Sequence, residues 1–127
     1  MYNKKESIED YLEKILMLKE QRDKVRAIDL ANFMSFSKAS VSIALKKLKS
    51  YGYVIVDEDT GDISLTPEGE KIGSNTLEKH RIIAQTLIDA GVSEDAAYKD
   101  ACAIEHILSE ETFQMLKKYQ EKKHGKK

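Results

Sequence analysis

The apolar pattern of this 127-residue chain changes period within one short stretch, and that change limits what the chain can fold into. Over residues 25–34, Ile28, Leu30, Ala31 and Phe33 recur with helical spacing. Ser35-Phe36-Ser37 interrupts them with turn-type residues. Ser37 then reads as the cap of a second helix reaching about residue 51, with Val41, Ala44, Leu45 and Leu48 on its inner face and Gly52 as its stop. Beyond Gly52 the pattern turns strand-like. Residues 53–56 are a β-branched run, residues 63–66 alternate, and Asp57-Glu58-Asp59-Thr60-Gly61-Asp62 joins them with Gly61 as the turn residue. Two helices joined by a tight turn and followed by a hairpin make a helix-turn-helix with a wing.

The rest of the chain reads as helix. Residues 7–21 place Ile8, Tyr11, Leu12, Ile15, Leu16 and Leu18 at helical spacing. Thr66-Pro67-Glu68 is a helix start, followed by helical sequence to about Ala90 and a stop at Gly91. Ser93 and Ser109 read as the caps of two further helices, the last with Phe113, Leu116 and Tyr119 as apolar contacts. Residues 121–127 read as a frayed tail, in which His124 is no ligand. The fold class is mainly α. An N-terminal winged helix-turn-helix domain with a short β-hairpin wing spans 1–70, and a helical domain spans 71–127.

Charge divides the same way. Residues 1–56 hold 11 Lys/Arg against 7 Asp/Glu, whereas residues 57–127 hold 10 against 15. A basic front half suits nucleic acid, and an acidic back half suits cations. The outer face of the helix after the turn carries Lys38, Ser40, Ser42, Lys46 and Lys47, with Ser37 at its start. Small hydroxyls near a helix N-terminus can approach base edges, and lysines further along can neutralise phosphate. The acidic wing tip suits only limited contact with DNA. No apolar run reaches the ~20 residues of a membrane span, no signal peptide is visible, and a single cysteine excludes an internal disulfide framework. The expected compartment is the cytoplasm.

One stretch of the back half concentrates metal-ligand chemistry. Cys102, Glu105 and His106 are spaced i, i+3, i+4, so on one helix a thiolate, a carboxylate and an imidazole share a face. The residues alone leave two readings open, a preset donor triad or a buried cysteine beside a Glu-His pair. In the first helix, Asp10 and Glu13 share an acidic face. Locally, Ser7-x-x-Asp10 also fits a capping box, Glu13 a solvated charge, and His80 an ordinary helix histidine. No phosphate-binding glycine loop or catalytic Ser/His/Asp set is present, and the chain does not read as an enzyme.

Together these pieces resemble the diphtheria-toxin-repressor and manganese-transport-regulator family of metal-dependent repressors. The resemblance rests on Ser7-Ile-Glu-Asp-Tyr-Leu-Glu13, the helix-turn-helix through Tyr51-Gly-Tyr53, Leu65-Thr-Pro-Glu-Gly69, Glu78-Lys-His-Arg81, and Cys102-x-x-Glu105-His106 followed by Leu108-Ser109. It implies that the second domain dimerises the protein. It implies a first metal site of Asp10, Cys102, Glu105 and His106, and a neighbouring one at Glu13 and His80 that shares Cys102 and Glu105. Two departures stand out. Ala84 and Tyr98 replace the acid and histidine of the ancillary site found in iron-type members, and Cys102 stands where the manganese regulators have a carboxylate.

The resemblance therefore implies a homodimer that binds double-stranded DNA at a palindromic operator and represses metal-uptake genes when Fe2+ or Mn2+ is bound, with Co2+, Ni2+ or Zn2+ able to substitute. A soft thiolate favours Fe2+, Co2+ or Zn2+ over Mn2+. Two rivals stay open on sequence alone: a constitutive winged-helix protein with a structural metal site, and a metalloenzyme or metal buffer.

Overall fold

The computed structural model describes residues 4–125 and divides the chain into two compact units, Met1–Ser74 and Asn75–Lys127. The elements in order are α1 (Lys4–Gln21), α2 (Ala27–Met34), α3 (Lys38–Ser50), β1 (Val54–Val56), β2 (Ile63–Leu65), α4 (Pro67–Asp89), α5 (Glu94–Ile104) and α6 (Glu110–Lys123). The division between units falls inside α4.

In the first unit, α1 supplies the centre of the core. Leu12 and Ile15 are fully buried and lie in one cluster with Val25, Leu30 of α2, Val41, Leu45 and Leu48 of α3, and Ile63 of the hairpin. The Phe36 and Tyr11 rings meet edge-to-face, with centroids 6.0 Å apart. The turn between α2 and α3 depends on Ser35, whose φ of 59° is left-handed and lets the Phe36 N–H reach the Ala31 carbonyl at 3.0 Å. Ser37 then caps α3, its Oγ accepting from the Ser40 N–H at 3.0 Å.

The wing is a two-stranded antiparallel hairpin pairing Val54 with Leu65, Ile55 with Ser64 and Val56 with Ile63. Two of its acids have internal partners. The Asp57 carboxylate accepts the Asp59 and Thr60 N–H groups, which hold its carboxyl below the usual range. Asp62 accepts from Lys19 of α1 and from the Val25 N–H, both at 2.9 Å, and is lowered for the same kind of reason. The Ile63 N–H donates to the Val25 carbonyl at 2.7 Å, so the hairpin is tied to the α1–α2 connection.

The second unit is smaller. Ile83 and Ala84 of α4 pack with Ala101 of α5, joined by Leu87, Ile104, Leu108 and Leu116, and Phe113 is buried at the start of α6. Ser93 caps α5 and Ser109 caps α6, as the sequence predicts. At the far end of the unit, Asp89 of α4 accepts from Gln85, from Gln120 of α6 and from His124, at 2.9–3.1 Å. These donors hold its carboxyl down to about 2.

Four sequence readings change. The first helix begins at Lys4, not at residue 7, so Ser7 lies within it and does not cap it, and Asp10 accepts instead from Lys14 Nζ at 3.0 Å. The second begins at Ala27, because the Arg26 N–H already donates to Asp29 Oδ2 at 2.9 Å and sets the helix start there. Tyr119 is 50% exposed, and the buried residues of that last helix are Phe113 and Gln120. His124, assigned to a frayed tail, is in the described residues and bonds Asp89, whereas Lys126 and Lys127 lie outside them.

α4 can begin where it does only because Gly69 has no side chain. A β-carbon there would overlap the Tyr53 carbonyl oxygen, which is backbone and cannot step aside. Gly69→Ala is expected to destabilise the protein by roughly 1–3 kcal/mol through overpacking. Chemical denaturation of the variant beside the parent chain checks this.

Candidate metal centre and nucleic-acid interface

α3 exposes one face and buries the other. Val41, Leu45 and Leu48 point into the core, while Lys38, Ser40, Ser42, Lys46 and Lys47 are all exposed, along with Ser37 at the cap. Among the described residues no acidic side chain lies on α3, and Lys47 and Lys49 sit in its last turn. The hydroxyls are not equally available. Ser37 Oγ both accepts from the Ser40 N–H and donates to Ser40 Oγ at 2.9 Å, so holding the helix start uses its one O–H donor. Ser42 makes no such local bond among the described residues. The sequence reading overlooked Ile43, which is 58% exposed on the same face. Its signal was its position two residues from each of Val41 and Leu45, the far side of a helix turn.

The second unit gathers donors around Glu105. α5 ends at Ile104 and not beyond the triad, so only Cys102 of the three is within the helix. Glu105 is the C-cap, with φ −57° and ψ −27°, and its N–H still bonds the Ala101 carbonyl at 2.9 Å, while His106 follows in the turn. Helix-like backbone at Glu105 keeps the donors near one another although the helix itself has stopped. Glu105 is 1% exposed. Its Oε1 lies 2.9 Å from Nδ1 of His80 on α4, and its Oε2 lies 3.4 Å from Nε2 of His106. The Cys102 Sγ is 3.8 Å from the same His80 Nδ1. Tyr98 of α5 stacks on the His80 ring, centroids 6.0 Å apart and planes within 15°, and so limits its rotation. In the sequence Tyr98 stood out only as an absent histidine.

These separations suit a shared cation. Donors held at about 2.1 Å from one ion lie about 3.0–3.4 Å apart, close to the two Glu105–histidine distances. Each Glu105 oxygen faces a different histidine. A carboxylate this deeply buried needs cationic or hydrogen-bonding compensation, which imidazolium or metal can supply. In the first unit, Asp10 and Glu13 are also buried, and Lys14 Nζ bonds both, at 3.0 and 3.1 Å. One ammonium there serves two carboxylates.

The fold and these donors define a winged helix-turn-helix DNA-binding protein with a helical metal-binding unit. The family model for the iron dependent repressor N-terminal DNA binding domain matches residues 5–61, and that for the iron dependent repressor metal binding and dimerisation domain matches residues 66–126. The chain belongs to this family, that of the diphtheria toxin repressor and the manganese transport regulators, whose members are metal-activated DNA-binding transcriptional repressors and not enzymes. It is 37% identical over 119 residues to an HTH-type transcriptional regulator of Methanocaldococcus jannaschii, covering 92% of this chain and 94% of that one. It is 39% identical over 103 residues to the HTH-type transcriptional regulator MntR of Bacillus pumilus, covering 81% of this chain and 71% of the relative. The solved structure of the manganese regulator SloR superposes with a TM-score of 0.78 at 31% identity over 89% of this chain. The chain spans about half the length of that solved chain, 53%. Among the described residues no helix is long and apolar enough to cross a membrane.

Whether Cys102 is a ligand is open to direct measurement. With Co(II) bound, a thiolate donor gives a sulfur-to-metal charge-transfer absorption in the near ultraviolet. Cys102→Ser is expected to abolish that band and to weaken Co(II) binding by ~10-fold or more, judged by what even outer-shell losses cost. A band of unchanged intensity in the variant would remove Cys102 from the donor set.

Proposed function

We propose that this chain is a homodimeric, metal-activated repressor of metal-uptake genes, bound to a palindromic operator when its donors hold Fe2+ or Mn2+. The observation that carries the reading is the buried Glu105 carboxylate, facing His80 and His106, in a chain that also presents a basic recognition helix. The proposed ligands are Asp10, Cys102, Glu105 and His106 for a first ion and Glu13 and His80 for a second, with Cys102 and Glu105 shared. Asp10 and Glu13 are assigned by family resemblance and by the chemistry of buried acids. A bound divalent ion supplies positive charge and directional bonds to these carboxylates and imidazoles.

The chain's own packing makes such a site able to govern DNA binding. Asp10 and Glu13 are on α1, and Leu12 and Ile15 of the same helix are fully buried in the core that holds Leu30 of α2 and Val41 and Leu45 of α3. Fixing α1 therefore fixes the recognition helix within its unit. A dimer reading two half-sites must set its recognition helices about 34 Å apart, or a multiple of it. A divalent ion held by the proposed ligands would favour that spacing within a broader population. By linkage, DNA must raise metal affinity by the same factor as metal raises DNA affinity. The donor set bears on metal choice. The solved relatives SloR and ScaR are described as a manganese regulator and a manganese-activated repressor, whereas the Cys102 thiolate favours Fe2+, Co2+ or Zn2+ over Mn2+.

Gel-shift titrations with Fe(II), Mn(II) and a chelator test the whole reading, since binding that ignores the chelator would leave a constitutive winged-helix protein. Within it, Asp10→Ala is expected to leave a folded chain that needs at least ~10-fold more metal to reach half-maximal DNA binding. A wild-type metal response would make Asp10 a structural acid held by Lys14. Lys46→Ala and Lys47→Ala are each expected to weaken binding to all sequences and to reduce the salt slope by about 1. Unchanged slopes would take α3 off the phosphate backbone.

A further inference from the structure

A recognition helix normally presents hydrogen-bonding side chains at the centre of its exposed face. On α3 that centre is apolar. With 3.6 residues per turn, Ile43 lies on the side opposite Val41 and Leu45, two residues from each and about 160° away. Ala39 is four residues before it and Lys46 three after, on the same stripe. Ala39 is exposed and Ile43 is 58% exposed. α3 contains no Arg, Asn or Gln, so the bidentate pairing that reads adenine is absent. The N-terminal part of a recognition helix is the part that meets base edges. Here Ala39 and Ile43 occupy it.

The flanks bear on what this apolar stripe can meet. Lys46 and Lys47 stand one turn beyond Ile43 on either side of its line, and Lys38 and Lys49 lie further round the helix. A groove of about 510 Å3 that includes Ile43 is lined by Lys4 and Lys47, by the small hydroxyls Ser7 and Ser40, and by apolar and aromatic side chains, Ile8 and Tyr11 among them. An apolar strip between cations matches a polyanion that carries apolar groups between its phosphates. In B-DNA's major groove the apolar group on a base edge is the C5-methyl of thymine.

We propose that Ile43, supported by Ala39, is the specificity-determining element of α3 and reads thymine methyl groups, so that the half-site is selected at T·A pairs by apolar contact. The inference rests on the DNA-binding reading above and adds to it the chemistry by which sequence is read. Burying one methyl-sized group is worth about 4-fold in affinity.

The test uses the full chain with Mn(II), Fe(II) or Co(II). Duplexes are selected from a randomised library, and each thymine of the enriched site is then replaced by deoxyuracil, which removes only the methyl. Wild-type protein is expected to lose about 4-fold at one or two positions per half-site, Ile43→Val to keep that loss, and Ile43→Ala to lose it. Low-salt binding of unselected DNA by Ile43→Ala shows that the variant is folded. Uracil sites that bind wild type as well as thymine sites, or a loss equally large in Ile43→Ala, would overturn the methyl-reading proposal while leaving DNA binding intact. No enriched duplex with any metal would overturn the DNA-binding reading and this inference with it.

Discussion

α1 is buried on more of its circumference than an amphipathic helix needs. Leu12 and Ile15 are fully buried, and so is Glu13, while Asp10 and Tyr11 are 5% exposed. An ordinary surface helix turns its charged residues to water and buries only one stripe. A helix that buries carboxylates as well must find them compensation, because desolvating a charge costs several kcal/mol. Lys14 provides part of it for both acids. The apolar stripe meanwhile commits α1 to the core shared with α2 and α3. The helix that carries the buried acids is thus the one that cannot shift without carrying the recognition helix with it.

Glu105 poses the same problem in the second unit and meets it differently. Its two oxygens face two imidazoles, and neither histidine is adjacent to it on a helix face: His80 comes from α4 and His106 from the turn after α5. Histidine is the side chain whose charge adjusts near neutral pH and whose neutral form is a good metal ligand. A buried carboxylate between two such groups is a donor set that suits a cation. Tyr98, stacked on His80, adds rigidity where a loose imidazole would weaken any ligand set.

The first unit invests its hydrogen-bonding side chains in holding α3 and the wing. Ser37 caps the recognition helix, Thr66 caps α4 and reaches back to the Gly52 carbonyl at 2.6 Å, and Asp57 and Asp62 shape and tether the hairpin. Acids on a wing look misplaced in a DNA-binding protein until these bonds are seen. Outward on α3 stand lysine, Ser40, Ser42, Ala39 and Ile43, a set suited to phosphate and to base edges.

The sequence by itself determined the elements and their order. Apolar periodicity marks helices and strands locally, and Ser37, Pro67, Ser93 and Ser109 mark helix starts by bonding or conformation within a few residues. It also determined the donor types, because Cys102-x-x-Glu105-His106 keeps three ligands within a few residues whether or not the helix continues. Tertiary structure decided where local signals competed. Ser7-x-x-Asp10 looks like a cap, but α1 starts at Lys4 and Lys14 engages Asp10, so the acid is interior. The helix through the triad stops at Ile104. Only packing of α4 against α5 brings His80 to Glu105 across 25 positions of sequence. Gln120 and His124 bond Asp89 over 31 and 35 positions, which no local pattern records. Periodicity reports the face a residue occupies, whereas partners far along the chain are set by which faces the core brings together.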